Sequence, residues 1–176
     1  MPAYTIDITN HFSDSLVDQA LLKEAIHRVL AEEGIASAVI SLAIVSDAEI
    51  HRVNREFLGH DYPTDVISFL LNLTAPDATD ADDADPRNDD LVPTSPDDSL
   101  AANFLEGELI VSRETAQREA VSHGWSLRAE LLLYVVHGLL HLCGYDDLTD
   151  ETRPLMRARE REILAIWEYC PTGLEM

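Results

Sequence analysis

The sequence contains few cysteines, few basic residues and no long apolar run. Its two cysteines, Cys143 and Cys170, are too few for a disulfide framework, which favours a reducing compartment. The longest apolar run, from Leu131 to Val136, ends at His137 and falls far short of the roughly 18 residues that a membrane span needs. The first residues form neither a basic nor an apolar segment, so we expect no secretion signal and a cytoplasmic location.

Basic residues are scarce: 12 lysines and arginines stand against 33 aspartates and glutamates, giving a formal charge of −21. A chain of this charge lacks the basic face on which most nucleic-acid binders depend. Residues 74–99 contain nine aspartates, four prolines and one arginine, which give this segment −8 and leave −13 on the rest. Because almost none of these residues can join a core, we predict a disordered acidic insertion there.

The length of 176 residues, 46% of them hydrophobic, predicts one domain that spans the whole chain. Alternating or continuous apolar character predicts strands over residues 4–9, 38–45, 66–70 and 107–112. Helical periodicity predicts five helices, which start after Ser13 or Ser15, after Ser46, after Ser112, after Ser126 and near residue 150. We therefore predict an α+β fold, a mixed sheet of about four strands packed with about five helices. The helix after Ser126 is apolar around most of its circumference, so we expect it at the buried centre.

His137 and His141 lie near the end of this central helix, four residues apart, so both imidazoles project from one face about 6 Å apart. Gly144 can end the helix in a left-handed conformation and turn the chain back. Asp146 or Asp147 then offers a carboxylate as a third ligand and leaves a fourth position for water. The spacing predicts a metal site whose active group is a metal-bound water, with no side-chain base assigned.

Other interpretations of this segment stay open. The histidines fit a hydrogen-bonded pair without a metal, and Cys143 is an alternative ligand whose position favours a small core residue. The spacing is that of the H-E-x-x-H-x-x-G-x-x-H motif of metalloproteases, but Gly138 stands where their general-base glutamate lies. This absence argues against peptide hydrolysis. Phosphodiester cleavage depends less on such a base, because an RNA 2′-hydroxyl or a metal-bound water can be the nucleophile.

From His137 to Asp147 the sequence resembles the metal-binding motif of the YbeY endoribonucleases, H-G-x-L-H-L-x-G-Y-D-H, at every fixed position except the last. A second block resembles the family's N-x-x-Y-R-x-x-D-x-P-T-[DN]-V-L-S-F stretch at Asn54, Phe57, Asp61, Pro63, Thr64, Asp65, Val66, Ser68 and Phe69. Residues 107–112 are similar to the family's G-D-I-x-I-S strand. The resemblance therefore covers most of the chain, over residues 40–165.

The resemblance implies a zinc-dependent, single-strand-specific endoribonuclease that matures the 3′ end of small-subunit ribosomal RNA and serves ribosome quality control. It implies that His137 and His141 are zinc ligands, and it puts Asp147 at the position of the family's third ligand, a histidine. A carboxylate ligand suits zinc and also makes iron or manganese admissible. Leu58 replaces an arginine of the family's second block that would clamp phosphate, so Arg55 and His60 are the candidates to contact substrate instead.

Arginines and glutamates alternate near the end of the chain, in a pattern typical of exposed ion pairs rather than an RNA-binding patch: Arg153, Arg157, Arg159 and Arg161 with Glu151, Glu160 and Glu162. The acidic body predicts weak intrinsic affinity for RNA, so we expect a ribosomal protein or assembly factor to deliver the ribosomal RNA. The competing hypotheses are a metallopeptidase-like hydrolase, a non-catalytic ribosome-assembly factor with a structural metal, and an iron oxygenase with the same ligands.

Overall fold

A computed structural model describes residues 1–74 and 103–169, so the predicted acidic insertion lies outside the described residues except for Thr74. The strands and helices, in chain order, are β1 Ala3–Asn10, α1 Gln19–Glu32, β2 Ser37–Val45, α2 Asp47–Val53, β3 Val66–Thr74, β4 Phe104–Ser112, α3 Arg113–His123, α4 Leu127–Leu142 and α5 Arg153–Leu164. A π-helical turn, Asn54–Leu58, follows α2, and a 3-10 turn, Ala165–Trp167, follows α5. This is the predicted α+β fold of four strands and five helices.

The four strands form one mixed sheet in the order β1–β2–β4–β3. Strands β1, β2 and β4 are parallel, whereas β3 lies at the edge and runs antiparallel to β4. Alternate residues of β2, Ile40, Leu42 and Ile44, are buried against the helices. Pairing between β3 and β4 continues to Thr74 and Phe104, so both strands are longer than the apolar pattern predicted. Backbone hydrogen bonds between the strands continue beyond the residues whose side chains pack in the core.

Helix α4 is the buried centre of the domain, as its apolar circumference predicted. It packs against β3, β4, α1, α3 and α5, and residues such as Leu132, Val136 and Leu139 are fully buried. Gly138 allows its close approach to the sheet, because a Cβ atom there would lie 2.8 Å from a methyl group of Leu109. Within the two described ranges, neither α4 nor any other helix has the length and apolarity that crossing a membrane requires.

Helix α1 begins later than the sequence pattern predicted. Its N-cap is Asp18, not Ser13 or Ser15, and the Asp18 carboxylate accepts a hydrogen bond from the N–H of Leu21 at 3.0 Å. The N–H of Leu16 bonds instead to an aspartate side chain two residues earlier, at 3.2 Å. Such local side-chain contacts compete with helix formation, and aspartate caps a helix as well as serine does.

Helix α2 begins after Ser46 as predicted, and Ser46 and Glu49 form a capping box there. The Glu49 carboxylate accepts the N–H of Ser46 at 2.9 Å and lies 2.8 Å from Nδ1 of His11. The hydrogen bond from the Ser46 backbone, and then the contact with His11, lower the pKa of Glu49 from 4.5 to about 2. The start of α2 is therefore tied to the loop after β1 by an ionised carboxylate.

We expect this capping box to stabilise the protein above about pH 4.5 and to lose that effect as the pH falls towards 2. The reason is that a carboxylate with a lowered pKa in the folded state stabilises it only while ionised. The variant Glu49→Gln should lower the unfolding temperature near neutral pH, with a smaller deficit relative to wild type near pH 3. Circular dichroism melts at both pH values measure the deficit. An equal deficit at the two pH values would contradict this assignment.

Candidate metal centre

Three side chains converge at the end of α4 and in the loop after it: His137, His141 and Asp147. One potential ligand atom from each lies within 4.8 Å of the others, and such a group can hold a metal ion. The Nε2 atoms of the two histidines are 3.1 Å apart. Carboxylate oxygens of Asp147 lie 3.9 Å from Nε2 of His137 and 3.5 Å from Nε2 of His141. The structure therefore brings together the three residues that the sequence predicted as ligands.

The turn after α4 places both the third residue and a hydrogen bond to the second histidine. Gly144 adopts a φ of 98°, which an L-amino acid with a side chain rarely adopts. The chain then turns back, so that the carbonyl oxygen of Tyr145 accepts a hydrogen bond from Nδ1 of His141 at 3.1 Å. The carbonyl oxygen of Asp147 accepts one from Nε of Arg153, also at 3.1 Å. The predicted role of Gly144 is confirmed, and the first turn of α5 holds the loop.

A buried carboxylate on α5 contacts the first histidine. Glu160 Oε1 lies 2.5 Å from Nδ1 of His137, and Glu160 is only 4% exposed. The prediction that Glu160 belongs to an exposed ion-pair pattern is therefore wrong, because this side of α5 packs against α4. Met156 and Ile163, four residues before and three after Glu160, are buried on the same side. An acidic residue inside this apolar stripe was the signal that could have identified it.

The hydrogen bonds to Nδ1 leave the two histidines ready to share a cation. A backbone carbonyl can only accept, so His141 carries its hydrogen on Nδ1 and presents a bare Nε2 lone pair. The Glu160 carboxylate fixes His137 in the same tautomer. Two bare lone pairs 3.1 Å apart repel each other unless a cation lies beside both. A tetrahedral zinc ion with bonds of about 2.0–2.1 Å separates two nitrogens by about 3.3–3.4 Å, so the donor set fits a metal ion.

A proton competes with a metal ion for this position. Burial on its own lowers the pKa of His137, but its hydrogen bond to Glu160 and the charges of Glu160, Asp65 and Asp147 outweigh burial and raise that pKa above 6.5. The same carboxylates that favour an imidazolium favour a bound metal cation. Metal binding at this site therefore displaces a proton.

The other two ligand candidates do not join the cluster. Cys143 packs against the hydrophobic core, and burial, with a smaller effect from the Glu33 carboxylate, raises the pKa of its thiol to about 12. The thiol therefore stays protonated and is a poor metal ligand. Asp146 accepts the N–H of Leu148 at 3.1 Å. Cys143 is the small core residue that its position on the helix favoured.

A cavity of about 150 Å³ opens beside the cluster. Residues from four parts of the chain line it, among them Asp65, Tyr134, His137, Asp147, Arg157 and Glu160. Asp65, a residue of the second block that resembles the family, accepts the N–H of Val66 at 2.8 Å and faces this cavity. Ser68 donates its hydroxyl to the carbonyl of Gly138 at 3.2 Å and so ties β3 to α4 beneath the cluster.

The two predicted substrate contacts, Arg55 and His60, lie outside this cavity. The Arg55 guanidinium is 65% exposed and lies 4.0 Å from the carboxylate of Asp61. The His60 ring stacks on Tyr62, with ring centroids 5.4 Å apart. Neither lines the cavity among the described residues, and Leu58, at the end of the π-helical turn, is 47% exposed. The structure does not bring Arg55 and His60 to the cluster, and their contact with substrate stays a prediction.

We expect Glu160→Gln to weaken zinc binding by about 10–100-fold, the usual effect of removing a carboxylate that orients a metal-bound histidine. Competition with a chromogenic chelator at constant pH measures the zinc affinity. Glu162→Gln is the matched control, because Glu162 lies on the same helix, is 67% exposed and pairs with Arg159. Equal zinc affinities of the two variants would rule out this role for Glu160.

The fold and the cluster together define a class of protein, in which a mixed sheet supports a buried helix that carries a histidine pair suited to a metal. A family model described as endoribonuclease YbeY matches residues 7–168. A relative named endoribonuclease YbeY from Moorella thermoacetica is 40% identical over 163 residues, 90% of this chain and 94% of the relative. Another, from Halalkalibacterium halodurans, is 34% identical over 92% of this chain and 94% of its own length. The chain belongs to the endoribonuclease YbeY family.

Two further comparisons describe how far the likeness extends. A relative of the same name from Rhodopirellula baltica is 41% identical over 141 residues, which are 79% of this chain but 59% of that protein. The solution structure of a Thermotoga maritima protein matches with a TM-score of 0.51 and 25% identity, over 96% of this chain and 99% of that one. The likeness to solved and curated proteins therefore concerns the whole fold and not the metal motif alone.

Proposed function

We propose that the protein is a metal-dependent endoribonuclease that cleaves single-stranded RNA. The observation that carries this proposal is the pair of imidazole Nε2 atoms 3.1 Å apart with a carboxylate beside them. Membership of the endoribonuclease YbeY family supports RNA as the substrate. We further propose that the substrate is the 3′ end of small-subunit ribosomal RNA, and that the enzyme acts in ribosome quality control in the cytoplasm.

His137, His141 and Asp147 are the residues that would hold the ion, and zinc is the ion that we propose. Two imidazoles, one carboxylate and an open position are typical of catalytic rather than structural zinc sites. The negative charge of Asp147 also makes iron or manganese admissible. When bound, a divalent ion supplies Lewis-acid polarisation of a phosphoryl oxygen and lowers the pKa of a water molecule.

The groups around the cluster orient the two histidines and leave room for the substrate. Glu160 and the carbonyl of Tyr145 hold the two histidines in the tautomer that presents Nε2. The cavity of about 150 Å³ beside His137 and Asp147 has room for a phosphate group. The histidine side chains are 26% and 30% exposed, which leaves the cluster accessible to a polymer. A phosphodiester of a single strand can therefore reach the cluster from the cavity side.

The metallopeptidase hypothesis is less well supported by the packing of α4. A peptidase of this motif needs a glutamate at the position of Gly138. A side chain there would meet Leu109 at 2.8 Å and Ser68 at 3.1 Å, so this position faces the sheet. The helix therefore has no room for the general base of that class. Phosphodiester cleavage makes no such demand on this position.

We propose that a ribosomal protein or an assembly factor delivers the ribosomal RNA to the site. The formal charge of −21 supports this, because phosphate contacts with cationic residues supply most non-specific affinity for nucleic acids. The protein's own affinity for free RNA should then be weak.

The single-domain organisation of residues 1–176 also stays a prediction from the length and composition.

Zinc content and RNA cleavage, measured on the same preparations, test the proposal. We expect the wild type to bind zinc and cleave single-stranded RNA. We expect Asp147→Asn to weaken zinc binding by more than about 100-fold, because losing a ligand costs more affinity than losing a residue that only orients a ligand. RNA cleavage should fall in parallel. Asp146→Asn is the matched control and should keep both, because Asp146 only accepts a backbone hydrogen bond in the loop.

Each competing hypothesis has its own outcome. Full zinc occupancy in Asp147→Asn would contradict the assignment of Asp147 as a ligand. Cleavage of a peptide but not of RNA by the wild type would favour a metallopeptidase. A wild type that holds zinc without cleaving RNA, and a His141→Ala variant that loses stability, would favour an assembly factor with a structural metal. Iron instead of zinc in a purified protein that does not cleave RNA would favour an oxygenase.

A further inference from the structure

Arg157 differs from most arginines of the described chain because it has no acidic partner. The arginines that form ion pairs with aspartate or glutamate include Arg28, Arg55, Arg113, Arg118, Arg128, Arg153 and Arg159. Over residues 1–74 and 103–169, Arg157 and Arg52 make no ion pair. Arg52 is exposed on α2, whereas Arg157 is partly buried. In so acidic a chain, Arg157 is a cation available to an external anion.

The position of Arg157 points to the candidate metal centre. Arg157 lines the same cavity as His137 and Asp147. It also lies three residues before Glu160, so both project from one face of α5, and Glu160 contacts His137 at 2.5 Å. The prediction that Arg157 belongs to an exposed ion-pair pattern is therefore wrong. The same face of α5 supplies the histidine's carboxylate partner and the unpaired guanidinium.

The charge of the cavity shows what Arg157 can do there. Three carboxylates, those of Asp65, Asp147 and Glu160, line the cavity. A divalent ion held by the cluster would offset two of these formal negative charges and leave one. A phosphodiester, itself an anion, would then be repelled from the site. The guanidinium of Arg157 offsets the remaining charge, so the cavity with an ion and Arg157 can receive an anionic substrate.

The guanidinium also has the geometry that a phosphate needs. It is planar, stays protonated and presents donors in a fork that matches two phosphate oxygens. A charge-assisted contact of this kind is stronger than one between neutral groups. Arg55, by comparison, lies beside Asp61 outside the cavity. Among the described residues that line the cavity, Arg157 is the one arginine or lysine.

We propose that Arg157 binds a phosphate of the RNA at this cavity and thereby positions the strand against the metal cluster. The proposal rests on the proposed function, in that it takes single-stranded RNA as the ligand. It assigns the substrate contact to α5 rather than to the segment around Arg55 and His60.

RNA binding by Arg157→Gln, measured as a function of salt, tests the proposal. Zinc-loaded protein in excess over a labelled single-stranded RNA gives the apparent Kd and the maximal cleavage rate separately. We expect the apparent Kd to rise about 10–100-fold, the effect of one charge-assisted contact. The slope of log affinity against log salt should decrease in magnitude by about 0.7, the contribution of one phosphate contact on a single strand. Arg157→Lys should keep the slope, since it keeps the charge, with part of the affinity lost.

Arg128→Gln is the matched control for net charge. Arg128 lies in the first turn of α4, roughly 13 Å along the helix from His137, and pairs with Asp18 at 3.2 Å. We expect it to leave both the Kd and the salt slope unchanged. The same losses in Arg128→Gln, or none in Arg157→Gln, would overturn the proposal. So would a loss of zinc affinity in Arg157→Gln, because Arg157 would then act on the metal site.

These measurements also separate the two proposals. If the wild type binds RNA through Arg157 but does not cleave it, the endoribonuclease proposal fails and the phosphate contact stands. If the wild type cleaves RNA and Arg157→Gln binds and cleaves as well as it does, the phosphate contact is wrong and the proposed function stands. A wild type with no measurable affinity for RNA would overturn both.

Discussion

The burial of one carboxylate organises this end of the molecule. Glu160 is almost wholly removed from solvent, and a buried charge is tolerated only when a partner compensates it. His137 is that partner, so α5 must dock on α4 in the one orientation that joins them. This docking places Arg153 over the loop that carries Asp147 and sets the tautomer of His137. The geometry of the cluster thus depends on a residue that belongs to another helix.

The charge of the whole chain and the charge of the site have opposite effects on an RNA substrate. An acidic surface repels nucleic acid wherever it meets it, and so it suppresses non-specific binding. A divalent ion and Arg157 would relieve that repulsion at the cavity. Discrimination of this kind comes from making every wrong contact unfavourable rather than from making the right one very strong.

The parts of the structure that could be predicted from the sequence are those that depend on local pattern. The apolar circumference of α4 predicted its burial, and His137, His141 and Asp147 lie so near one another in the chain that helix geometry and one turn bring them together. Glu160 and Arg157 were misassigned, since alternating acidic and basic residues look alike on an exposed helix and on one that packs on one side. Tertiary packing decides which side of α5 faces α4. The only sign of this in the sequence is the short apolar stripe of α5.

The pairing of β3 with β4 has a consequence for how this protein can change. The two strands are hydrogen-bonded as far as Thr74 and Phe104, so the sheet itself holds these two residues side by side. Closing a longer loop between fixed ends costs only about 0.6 kcal/mol for each doubling of its length. Asp65, which faces the cavity, lies directly before the first residue of β3, roughly 25 Å from Thr74 at the other end of the strand. Evolution, or a protein engineer, can therefore change the length of the chain between Thr74 and Phe104 with little effect on the metal cluster.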